Sequence, residues 1–70
     1  MNLFELYQQP ERMRQASSEM IGALAILLDA LAVQSISKDL PPGIANHFLH
    51  IKELALDRLY ERKNAQPTPN

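Results

Sequence analysis

Two imidazoles three residues apart, His47 and His50, with Glu53 three further on, come nearest in this chain to a chemical site. On a helix, residues at i and i+3 are neighbours, so the two rings could share a metal ion. Two ligands are too few without a third from elsewhere, and the His-Glu-x-x-His spacing of a zinc protease is absent. Solvated or partner-contacting histidines are the simpler reading. A pH-sensitive interface is a minor alternative, since histidine titrates nearest to neutrality. Glu53, Asp57 and Glu61 recur every four residues, a spacing that could be mistaken for paired catalytic carboxylates, but Arg58 and Arg62 are interleaved with them. That pattern describes a solvated helix stripe laced with ion pairs. Gly22 and Gly43 stand alone and make no phosphate loop, and no serine lies in a nucleophile elbow. The sequence therefore predicts no enzyme, no catalytic residue, no cofactor and no metal site.

Any such groups would sit on two long helices. The first is expected from about Pro10 to Gln34 and the second from about Pro42 to Lys63. Pro10 and Pro42 suit a first helical position, where the missing N–H costs nothing. Gln34 to Gly43 carries serines, an aspartate, two prolines and a glycine, and it reads as the one turn in the chain. A connection this short makes the helices antiparallel neighbours. Ile36 and Leu40 are expected to plug the end of the bundle. A short helix over Asn2 to Gln8, capped by Asn2 with Glu5 at the capping-box offset, is expected to fold back as a lid. Asn64 to Asn70 is polar and proline-rich, and is expected to be a disordered tail after a single domain over residues 1–63.

The first long helix is organised around Met20 to Val33, in which only Gly22 and Asp29 interrupt twelve apolar residues. At 100° per residue, Met13, Met20, Leu24, Leu27, Leu28 and Leu31 share one face, with Ala16, Ile21 and Ala32 on its flank. The opposite side starts polar, with Glu11, Gln15, Ser18 and Glu19. It then turns apolar at Gly22, Ile26 and Val33, with Asp29 among them. A helix apolar nearly all round is buried on more than one side, and a single companion helix cannot cover both. On the second helix Ile44, Ala45, Phe48, Leu49, Ile51, Ala55, Leu56, Leu59 and Tyr60 form a broad apolar sector. Lys52 lies inside it and must snorkel or pair with an acid such as Asp29. Arg58, Arg62 and Lys63 complement the negative end of that helix.

Seventy residues make one small domain, which is marginal alone and has no cysteine to staple it. Self-association is the remaining common remedy. The expectation is an all-α antiparallel helical hairpin with a short N-terminal helix, dimerising into a four-helix bundle. Gly22, Ile26, Val33, Ala45, Leu49, Leu56 and Tyr60 are the predicted interface. The apolar run of fourteen residues is too short to span a bilayer, so no membrane is expected. No basic stretch precedes an apolar core at the N-terminus, and lack of cysteine is compatible with a reducing cytoplasm, so the expected location is cytoplasmic.

The predicted function is protein–protein interaction by a homodimer, as an adaptor, inhibitor or co-chaperone-like regulator, with a further protein partner. The alternative is a nucleic-acid-binding regulator of the small helical-bundle type. A net charge of −1, with the basic residues scattered, gives that reading little electrostatic drive. In length and helix arrangement the chain resembles three groups of very small proteins. They are the co-chaperones of type III secretion needle subunits, the plasmid RNA-modulator proteins and phage-encoded inhibitors of bacterial regulators. The resemblance rests on layout, and no residue role follows from it.

Overall fold

Four helical segments account for the chain in a computed structural model, which describes residues 1–65. They are α1 (Leu3–Gln8), the 3-10 helix η1 (Pro10–Gln15), α2 (Ser18–Ser37) and α3 (Pro42–Ala65). Among the described residues there is no strand, and the architecture is all-helical around one long pair. The pair is antiparallel: Asp29 meets Lys52 near its middle, and Ser18 meets Arg62 at its open end.

α1 starts where the sequence places it. Asn2 has extended backbone angles, and its Oδ1 accepts the Glu5 N–H at 2.8 Å. The Glu5 carboxylate in turn accepts from the Asn2 side-chain amide at 3.3 Å. Pro10 then opens η1 rather than the first long helix. The expected continuous helix from Pro10 to Gln34 is thus two segments. Ala16 is extended, and Ser17 caps a new helix by accepting the Met20 N–H at 3.1 Å. A serine hydroxyl gives the first turn of α2 a partner that the backbone of a continuous helix would otherwise supply. The break lets η1 fold against α3 instead of extending into solvent.

α2 runs to Ser37, three residues beyond the expected end, and closes in a Schellman motif. The Asp39 N–H donates to the Ile36 carbonyl and the Leu40 N–H to the Ser35 carbonyl, each at 3.0 Å. The left-handed position of that motif is filled by Asp39 at φ 56. Gly43, the expected turn glycine, lies inside α3 with ordinary negative φ. Ile36 and Leu40 do not plug the bundle: Ile36 is 66% exposed on the side of α2, and Leu40 is exposed beside the loop. α3 extends to Ala65, so Asn64 and Ala65 of the expected tail are helical, while the rest of that tail lies outside the described residues.

The core explains how far the hairpin can reach. Much of the α2–α3 seam is alanine: Ala25 and Ala32 are buried on α2, Ala45 and Ala55 on α3. Short side chains let helix axes approach toward the lower end of the ~8–10 Å range. The larger side chains Ile21, Leu24 and Leu28 fill the space on one side of the seam, together with Leu6 from α1 and Met13 from η1. Each buried leucine-sized side chain contributes roughly 1.5–3 kcal/mol by leaving water. Tyr7 closes that side, its ring edge-on to His47 at 5.6 Å and tilted against Phe48 at 6.2 Å. Ser35, the one buried polar side chain among the described residues, donates to the Leu31 carbonyl at 2.8 Å.

Candidate functional site

α1 and η1 both pack on one side of the α2–α3 pair, and among the described residues no element covers the other side. α2 presents Gly22, Ile26, Asp29, Val33 and Ile36 there, spaced by four and three residues, the interval that keeps side chains on one helical stripe. α3 presents Leu49, Leu56 and Tyr60 beside it. Ile26 is 74% exposed, Val33 59% and Tyr60 67%, with Leu49 and Leu56 exposed to lesser degrees. Together they form an apolar strip along the hairpin, with Asp29 on α2 and Glu53 on α3 set among them, and exposed apolar patches on a small chain mark contact surfaces.

Six of the seven residues of the predicted interface lie on this side, and Ala45 does not. Ile26, Val33, Leu49, Leu56 and Tyr60 project from it as large apolar side chains. Gly22 is half-buried, and a Cβ placed there would meet nothing within 4 Å. Ala45 is 6% exposed, so it belongs to the intrachain seam more than to the outer surface. Ile36 extends the strip toward the loop, a role its assignment to the bundle end concealed.

The strip has a charged centre. Lys52 Nζ lies 2.6 Å from Asp29 Oδ1, and both side chains remain partly in water. The pairing meets the demand of a lysine in an apolar sector. In a solvated setting such a pair contributes about 0–1 kcal/mol.

Three of the seven basic side chains, those of Lys52, Arg58 and Arg62, are engaged within the chain. Arg62 reaches from α3 to the η1–α2 junction, where it donates to the carbonyls of Met13 at 2.9 Å and Arg14 at 3.3 Å and to Ser18 Oγ at 3.1 Å. These contacts satisfy carbonyls freed at the break before α2. Arg58 pairs with Glu61 at 2.8 Å. Arg14 and Arg58 line one cleft at the open end, with Arg62 bonded beside them, interleaved there with Glu11, Asp57 and Glu61.

The histidines sit apart from the strip, exposed on the side of α3 nearer α1 and η1, and His47 is used as an aromatic partner of Tyr7. Among the described residues no three His, Asp or Glu side chains are grouped as a metal site. An open cleft of about 840 Å³ between η1 and α3 is lined by Glu11, Arg14, His50, Asp57, Arg58 and Glu61, a mixed-charge surface. A smaller groove of about 380 Å³ lies between α1 and α2, lined by Leu3, Phe4, Tyr7, Leu27 and other apolar side chains.

By length and composition α2, at 20 residues and mean hydropathy 1.8, is long and apolar enough to cross a membrane. The fourteen-residue run considered alone falls short of that length. No protein-family model, curated protein or solved structure matches the chain.

Proposed function

We propose that the protein is a non-enzymatic helical interaction module that pairs with a second copy through the bare strip, forming a four-helix bundle that engages another protein as an adaptor or regulator. The observation that carries this is the side of the hairpin opposite α1. Ile26, Val33, Leu49, Leu56 and Tyr60 there remain in water after the chain has used every described element to cover the other side. From Gly22 to Ile36 the strip runs along about 21 Å of helix and is two helices, about 20 Å, wide. Its projection of roughly 400 Å² is about half of the ~800 Å² of accessible surface that each partner contributes to a standard interface, the size of a small contact. A small domain without disulfides also gains the stability it lacks by burying this surface.

Two features favour a protein-covered strip over a lipid-covered one. α2 is held along its length by α3, and Asp29 in its middle is ion-paired to a lysine of that helix. An acidic side chain facing hydrocarbon is strongly penalised, whereas a paired one at a protein interface is not.

Light scattering and sedimentation at micromolar concentration test the reading. The expected species is a dimer, and a stable, well-folded monomer overturns the pairing. Ile26→Glu sharpens the test. Because Ile26 is three-quarters exposed within the chain, a charge there acts on the assembly rather than on the hairpin's own core. Helical circular dichroism should persist at high concentration while the mass falls to that of one chain. An undiminished dimer would place the contact elsewhere.

A further inference from the structure

Resting on that pairing, we propose a specific arrangement: the two copies are related by a two-fold axis parallel to the helices. Each α2 then lies across the partner's α3, and both loops emerge at the same end.

A face-to-face pair of hairpins has two symmetric choices, an axis along the helices or an axis across them. The Asp29–Lys52 pair at the middle of the strip decides between them. An axis across the helices sets α2 on the partner's α2, so Asp29 meets the partner's Asp29 and Lys52 the partner's Lys52. Sliding the copies to avoid this leaves each ion pair facing apolar side chains. An axis along the helices alternates the four charges around a ring, every neighbour being of opposite sign. Like charges brought together in a desolvated interface are heavily penalised, and alternating ones hold the register. Glu53 is at the same height, about 20° beyond Tyr60 on the outer flank of the strip, and an axis across the helices would set it against the partner's Glu53 as well.

Packing leads to the same arrangement independently. The contacts of Asp29 with Lys52 and of Ser18 with Arg62 fix the heights along the antiparallel pair. Gly22 then stands level with Tyr60, Ile26 with Leu56, and Val33 with Leu49. An axis along the helices preserves these heights, so the partner's Tyr60 arrives over Gly22. Glycine is disfavoured inside a helix, and nothing within this chain requires it: φ is negative, and an added Cβ would meet open space. Tyr60, in turn, is 67% exposed with no use inside its own chain. A notch without a tenant and a ring without a pocket are thus brought together by symmetry.

The chain has no cysteine, so a single Asn64→Cys variant can carry a spin label near the open end. With the axis along the helices, the two labels sit on diagonal helices whose axes are about 15 Å apart, and a pulsed dipolar distance of roughly 20–25 Å is expected. With the axis across, twelve residues on either side of the Lys52 level separate them by about 36 Å along the bundle. Gly22→Ala supplies the second measurement. Filling the notch should weaken dimerisation about tenfold or more, while raising the melting temperature of the dissociated chain at low concentration. A distance beyond about 35 Å in a dimer, or tighter dimerisation of Gly22→Ala, overturns this arrangement and leaves the pairing itself intact. A chain that stays monomeric at tens of micromolar removes both.

Discussion

At the residue scale, Asp39 is the one non-glycine residue with positive φ among those described, at 56. A left-handed conformation costs an L-residue roughly 1–2 kcal/mol, eased for aspartate by its short polar side chain. Its carboxylate also lies beside the negative end of α2. Asp39→Gly should therefore raise unfolding stability by about 0.5–1 kcal/mol, read as a shift in urea midpoint. Asp39→Asn separates the two causes, since it keeps the backbone tolerance and removes the charge. Arg62 works in the opposite direction. Removing its guanidinium leaves the Arg14 carbonyl without this donor and the Met13 carbonyl with the Ala16 N–H alone, and Arg62→Ala should cost about 1 kcal/mol. The Asn2 cap and the need of Lys52 for an acid were legible in the sequence because each follows from a residue's own chemistry at a local position. The clamp by Arg62 was not, because the carbonyls it serves are far away in the chain and are freed only by a break elsewhere.

That break is the main lesson at the scale of elements. Pro10 to Gln34 reads as one helix because Met13, Met20, Leu24 and Leu31 keep helical phase across it, with Ser17 on the same face, and nothing in that phase marks Ser17 as a cap. The deciding interaction is the Ser17 hydroxyl with the Met20 N–H, together with the burial of Met13 against α3 that the break permits. Ser17→Ala should lower stability by about 1 kcal/mol, with amide exchange rising first at Ser18 to Met20. Ser17→Asp should retain most of the stability, because aspartate caps as well and its charge suits the helix N-terminus. The turn shows the converse. Its breakers were visible, but the helix used Ser35 to Asp39 to finish and left Pro42 and Gly43 to begin the next element. Composition located the reversal; hydrogen-bond geometry chose its residues.

At the scale of the molecule, the unequal sides of the hairpin follow from its alanine seam. Helices that meet through Ala25, Ala32, Ala45 and Ala55 lie close and leave their isoleucines and leucines to face outward in two directions. α1 and η1 cover one direction, and the sequence pattern already showed that α2 had apolar residues left for the other. What the pattern could not show is that Asp29 and Lys52 stand together in the middle of that second strip. Their coupling provides a test of whether the strip is wet or covered. In a free chain both side chains are partly solvated, so a double-mutant cycle with Asp29→Asn and Lys52→Met should return less than about 1 kcal/mol, reduced further by salt. If pairing removes them from water, the same cycle measured on dimer dissociation should exceed about 1.5 kcal/mol and lose much of its salt sensitivity, as close charge pairs at desolvated interfaces do. Truncating either residue alone should then weaken the dimer more than removing both, because a single survivor is left charged among Ile26, Val33, Leu49 and Leu56 without its counter-ion. Equal small couplings at concentrations below and above the expected dissociation constant would show that the pair stays in water throughout, and that the strip is not closed by a second copy.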